Sequence, residues 1–374
     1  MSDPGLDALL GAGWPDGWQC PPLEGSTAPE RLRAIARSGF AGMAVPGDFQ
    51  GGGASMLDVA AAQRAVSIVE PSLAIALNMH SFTVGLLREH WEVERDLSWF
   101  LLEAIAESGS LVASAFAEPG GLPHMLSAKT QAIRRGKDVE LTGVKAPCSL
   151  IESAAMFCTN ARLADSDQII VALVPSGSDG MHRQPGWTGM GMRASDTGRL
   201  TLDHVVVDDR LVFYSAPADE LDRMVVAGLV WFAVLLAATY HGAMTSFLVE
   251  VGARTRSPGK EGRLLLGRAV RATTALGLAC QGLAHAWMDG TCRGTTALAA
   301  AQALRNEVPR VVDEILANTR PLVGSTIYTT GDRLNELSLD LLAAHHHPPS
   351  ELVCDLSLGN IGVGAAPTLD PGRD

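Results

Sequence analysis

Residues 111–153 read LVASAFAEPGGLPHMLSAKTQAIRRGKDVELTGVKAPCSLIES. Short β-type runs, Leu111–Ala117, Ala128–Arg134 and Val139–Gly143, are broken by Gly/Pro-rich or charged links such as Arg135-Gly136-Lys137-Asp138. Similar runs continue at Ala155–Ala161, Ile169–Val174 and Arg199–Val207, with Pro175–Gly180 as another turn. This spacing predicts an antiparallel sheet or barrel over residues 111–215.

Both flanks are helical in pattern. Ala28–Ser38 follows Ser26-Thr27, a plausible N-cap, and stops at Gly39. Met56–Val69 and Leu73–His90 are parted by Glu70-Pro71-Ser72, and Trp99–Ser108 follows. Beyond the strands, helices are expected over Met224–Arg254, Arg263–Cys292, Thr295–Leu322 and Arg333–Ala344. The order predicts an α+β chain in three units: an N-terminal helical domain (1–110), a β-barrel domain (111–215) and a C-terminal helical bundle (216–374).

Composition excludes several function classes. Net charge is −12 and no Lys/Arg cluster stands out, which argues against nucleic acid and anionic membranes as partners. Six scattered cysteines without a CxxC pair predict reduced thiols and a cytoplasmic setting. The N-terminus lacks the basic-then-apolar pattern of a signal peptide. The apolar run Met224–Tyr240 is 17 residues long, short of the ~20 that cross a bilayer, and is expected to be a helix buried on all sides.

With these residues in order, the chain resembles the acyl-CoA dehydrogenase superfamily. Gly39–Gly53 (GFAGMAVPGDFQGGG) is similar to the family's exit from its first helices. Ala115–Pro119 (AFAEP) is similar to its Thr-Glu-Pro motif, and Leu141–Ser149 (LTGVKAPCS) to the turn before its flavin-stacking strand. Gly189–Val207 is similar to the Gly-x-Arg-x-Ser stretch and closing strand. The resemblance implies FAD or FMN between barrel and bundle, near Phe116, Ala117, Cys148 and Ser149. It also implies a homodimer or homotetramer, and a small-molecule or thioester substrate, carried on CoA or an acyl carrier protein and bound by Arg193. A flavin brings the hydride chemistry; the protein supplies the base and tunes the cofactor.

Several family side chains are exchanged. Ala117 stands where a Thr bonds the flavin, Leu122-Pro123-His124 where Gly-Ser-Asp is usual, and Pro147 where a Trp stacks. Ser149 keeps a hydroxyl. The catalytic Glu is missing from both usual positions. One falls near His347-Pro348, past Leu339-Asp340, with Glu351 nearby; the other falls near Phe232. A general base works best with a pKa near the operating pH, which imidazole approaches unperturbed. His345-His346-His347 is therefore of interest, although a polar helix end before Pro348-Pro349 reads the same way. Adjacent histidines in one turn point in different directions, so no metal is expected.

Three functions fit. In the first, a flavin-dependent oxidoreductase dehydrogenates a thioester or similar molecule with His347 or Glu351 as base. In the second, the chain resembles monooxygenases of the same fold. These use reduced flavin, supplied by a flavin reductase, and O2; the matching residues are His80, Ser149 and His347. For His80 alone, a core histidine bonded to backbone is the plainer reading. The third is a flavin-less binding or non-redox protein. Glu118-Pro119 is expected to shape the loop at the flavin's edge, and Cys148 alone reads as a small buried hydrophobe.

Overall fold

The computed structural model describes residues 6–369 apart from 12, 16–17, 121–126, 218–219 and 256–257. Leu122-Pro123-His124 therefore lie outside the described residues. The N-terminal helices are α1 (Leu6–Leu10), α2 (Ala28–Ile35), α3 (Met56–Val69), α4 (Pro71–Glu94) and α5 (Trp99–Ser108). Reciprocal capping boxes start α2 (Thr27 with Glu30) and α3 (Ser55 with Asp58), satisfying backbone N–H groups that have no helical partner. Pro71 has no N–H to continue α3 but suits the first turn of α4. α2 gives way to a π-helical turn, Ala36–Phe40, in which Gly39 takes φ 102°, a conformation open to glycine.

Eight strands follow: β1 (Val112–Ala115), β2 (Gln131–Arg135), β3 (Asp138–Cys148), β4 (Met156–Leu163), β5 (Gln168–Pro175), β6 (Met181–Pro185), β7 (Gly198–Asp208) and β8 (Val212–Pro217). They pair in the order β6-β7-β3-β2-β4-β5-β8, with β1 added beside β4. The expected barrel needs correcting. The sheet is open, and it is mixed, because β1 and β2 each run parallel to β4. Parallel neighbours need a crossover, and the long links here supply it. Gly143 lets β3 pass Thr130 closely: a Cβ there would sit 2.5 Å from the Thr130 hydroxyl.

The C-terminal helices are α6 (Arg223–Arg254), α7 (Lys260–Met288), α8 (Gly294–Val323), α9 (Arg333–Leu342) and α10 (Glu351–Gly362). α6 is apolar on every face because helices surround it, and 94% of its most apolar window is buried. The run Met224–Tyr240 is thus a core helix. α4 packs against it at Gly85, where a Cβ would meet the Trp231 ring at 2.4 Å. The buried Glu89 carboxylate pins three helices by accepting from the indole N–H groups of Trp231 (3.2 Å) and Trp287 (2.7 Å). One apolar core surrounds α6, and a second lies between the sheet and the N-terminal helices.

Candidate active-site cleft

The site begins where three surfaces meet: the ends of β1, β3 and β5, one face of α4, and the first turns of α6. Between them lies a cleft of about 400 Å³, closed on one side by the loop after α9. Its walls are mostly apolar. Ile75, Met79 and Phe82 recur along α4 at helical spacing, and Phe82 stands edge-on to both Phe116 (6.2 Å) and Phe232 (6.0 Å).

Ser149 lies on the sheet-side wall beside Pro147. Its hydroxyl pairs with that of Thr197 at 2.9 Å, and Thr197 pairs with Ser195 at 2.7 Å. Three hydroxyls thus form a short chain along one side. Asp196 shapes the turn that carries them by accepting from the backbone N–H of Glu152 and Ser153. Phe116 and Ala117 also line the cleft, and the Ala117 carbonyl accepts from Ala146 N–H at 2.9 Å.

Below that wall, Glu118 and Lys145 form a buried ion pair at 2.6 Å. Lys145 also donates to the backbone and side-chain oxygens of Asn160, and Glu118 accepts from Thr130 and Lys129. Burial by itself raises a carboxyl pKa, but the ammonium and Thr130 hold Glu118 below the usual carboxylate range. This network fastens β3 to β4 and to the Glu118-Pro119 loop.

His347 lines the opposite wall, half-buried. Its Nε2 pairs with the Tyr240 hydroxyl at 2.8 Å, and its carbonyl accepts from Arg305. Burial, with help from Arg305 and His346, pushes its pKa down to about 3, so the ring is neutral near pH 7. His346 and Glu220 also border the cleft and are exposed. Asp340 anchors the preceding helix: it accepts from Met192 N–H at 2.5 Å and from the Ser72 hydroxyl at 3.4 Å. Burial raises its pKa to about 6.

The remaining residues named from sequence lie elsewhere. His80 is buried away from the cleft lining. Its Nε2 meets the Ala41 carbonyl and its Nδ1 accepts from Val112 N–H, both at 3.0 Å, as in a core histidine. Burial lowers its pKa to about 4. Cys148 points into the second core, and burial pushes its thiol up to about 12. Glu351 begins α10, outside the cleft lining, and pairs with His345, which also meets Asp313. Arg193 is exposed and does not line the cleft. Sequence reasoning missed Tyr240, Thr197 and Arg305. Tyr240 ends its apolar run with a phenolic hydroxyl beside Thr239, and that was the available signal.

The cleft suits a flavin. Apolar and aromatic side chains offer a bed for the ring system, and the hydroxyls of Ser149 and Thr197 offer partners for its polar edge. Phe232 lines the cleft, so a phenyl ring stands near the α6 position where the resemblance would place a base.

No family model matches the chain. It is 31% identical over 334 residues to isobutylamine N-hydroxylase of Streptomyces viridifaciens, covering 87% of this chain and 86% of that one. It is 26% identical over 351 residues to L-evernosamine nitrososynthase of a Micromonospora species, covering 87% and 80%. Its fold superposes with a TM-score of 0.80, at 22% identity, on KijD3 in complex with FMN and dTDP-3-amino-2,3,6-trideoxy-4-keto-3-methyl-D-glucose, covering 92% and 87%. The shared helix–sheet–helix architecture, the cleft at its junction and the near full-length similarity agree: the chain belongs to the acyl-CoA dehydrogenase superfamily of flavin-dependent oxidoreductases, as a divergent member.

Proposed function

We propose that the chain is an N-oxygenase of a small amine, using reduced flavin and O2. The observation that carries this reading is the lining of the cleft. Phe232 occupies the expected base position on α6, and burial makes His347 a weak base, its pKa pushed down to about 3. Taking an α-proton from an acyl thioester needs a base at that point; oxygenating an amine nitrogen does not. Similarity to isobutylamine N-hydroxylase and to L-evernosamine nitrososynthase supports the amine.

When bound, reduced flavin would supply the two electrons by which O2 gives one oxygen atom to the amine as R–NH–OH and the other to water, leaving the flavin oxidised. The chain's own residues set the conditions for this. Met79, Phe82, Phe116 and Phe232 exclude water from the reacting end of the cleft. An apolar wall penalises an ammonium ion, so the amine binds neutral with its lone pair free. Ser149 and Thr197 would hold the polar edge of the ring system, and His347 would offer a ring nitrogen to the cleft. The rate, kcat/KM, should therefore rise with pH toward about 10, the ordinary pKa of an alkyl amine.

The fine organisation follows the same reading. Residues 1–110, 111–215 and 216–374 act as three domains of one homo-oligomeric enzyme. It works in the cytoplasm, beside a flavin reductase that supplies the reduced cofactor. Supplying enzyme, reductase-generated reduced FMN, O2 and a series of primary alkylamines should yield hydroxylamines by mass spectrometry. Reduction of bound flavin by an acyl-CoA in the absence of O2 would refute the proposal.

A further inference from the structure

The His347 ring is held by two groups that the proposed chemistry does not use. Tyr240, on α6, is fully buried, and its hydroxyl has one hydrogen-bond partner among the described residues, His347 Nε2 at 2.8 Å. Arg305, on α8, is equally buried; it donates to the His347 carbonyl and has no carboxylate within ion-pair distance among the described residues. His347 Nδ1 has no hydrogen-bond partner among the described residues, and the residue lines the cleft.

These contacts select one protonation state of the ring. Were Nε2 the protonated nitrogen, it would donate to the Tyr240 oxygen, and the phenolic hydrogen would be buried without an acceptor. With the phenol donating, Nε2 must be bare and Nδ1 must carry the hydrogen. An imidazolium would strand the same phenolic hydrogen and would also face the Arg305 guanidinium. We infer that Tyr240 and Arg305 are positioning residues that fix His347 as the neutral Nδ1–H tautomer, so that the cleft receives a hydrogen-bond donor rather than a base. What that donor serves rests on the oxygenase reading; the tautomer itself does not.

The charged and titratable groups around this unit are Arg305 from α8, Asp340 from α9, His346 from the loop, and Glu351, Cys354 and Asp355 from α10. They leave Arg305 as the cation nearest in effect to the ring, and burial keeps the phenol protonated.

The test is nitrogen-15 NMR of the flavin-free protein labelled at histidine, with His347 assigned by the signal lost in His347→Gln. Wild type should show Nδ1 protonated and Nε2 bare throughout the range in which free imidazole titrates. Tyr240→Phe should give the other tautomer or a mixture, and Arg305→Gln should let His347 titrate closer to neutrality. A wild-type spectrum with Nε2 protonated overturns the inference, and so does an unchanged tautomer in Tyr240→Phe. The wild-type spectrum decides even if a variant fails to fold. If the tautomer shifts in Tyr240→Phe while kcat for amine oxidation stays the same, the inference stands and the oxygenase role of His347 falls.

Discussion

Two histidines of this chain are both kept neutral by burial and are bonded in different ways. His80 is buried in the core and His347 half-buried on the cleft wall, and burial drives both pKa values down, to about 4 and about 3. His80 accepts from a backbone N–H at Nδ1 and so carries its hydrogen on Nε2, which donates to a backbone carbonyl. Both nitrogens are spent on holding α4 to β1 and to the turn after α2. His347 is bonded at Nε2 alone, and its other nitrogen belongs to a residue lining the cleft. Burial alone does not separate the two imidazoles; the number of ring nitrogens left without a partner among the described residues does.

The contrast breaks most directly by mutation. His347→Gln should lower turnover by about 100- to 1,000-fold, the usual cost of removing a donor aimed at developing charge. Its flavin dissociation constant, read by fluorescence titration, should barely move. His80→Ala should do the reverse. It leaves a buried N–H and a buried carbonyl unpaired, at about 1–3 kcal/mol each, so the urea midpoint should drop while turnover per folded molecule holds. Equal effects of the two changes on stability and on turnover would erase the distinction.

Acid sharpens it further. His80 binds its proton less readily folded than unfolded, so its contribution to stability is complete above about pH 6.5 and fades as pH falls toward about 4. Wild-type stability should decline across that window, and His80→Gln should decline less steeply, as urea midpoints measured at several pH values would show.

Much of the fold was legible in sequence because its signals are local. The bounds of α3 follow from the Ser55–Asp58 capping box and the Pro71 break, both within a few residues of the helix ends. β6, Met181–Pro185, escaped notice because it is a mostly exposed strand with no alternation of apolar residues. α10 follows two prolines, and its apolar residues are divided between exposed and buried positions, leaving no clear stripe. The site was only half legible. Ser149 and His347 stand in motifs, but Tyr240 lies 107 residues from His347, at the end of a mostly apolar run. Periodicity cannot mark a working residue in a helix buried on all sides. Nor can sequence show that Ala41 and Val112 meet the nitrogens of His80.

Smaller effects test the rest of the wall. Ser149→Ala removes one hydroxyl from the chain that ends at Ser195, and should weaken flavin binding by about 2- to 10-fold in the same fluorescence titration. Arg193→Ala alters an exposed side chain outside the cleft lining, and should change KM by no more than about twofold. A large rise in KM would bring Arg193 back as a substrate ligand.

The central claim is that this cleft transfers oxygen to an amine. Turnover of a primary alkylamine under isotopically heavy O2, in ordinary water, tests it most directly. The account predicts a hydroxylamine that carries one heavy oxygen atom. An imine, or an aldehyde formed from it with unlabelled oxygen, would show that the enzyme dehydrogenates its substrate, and would contradict the account.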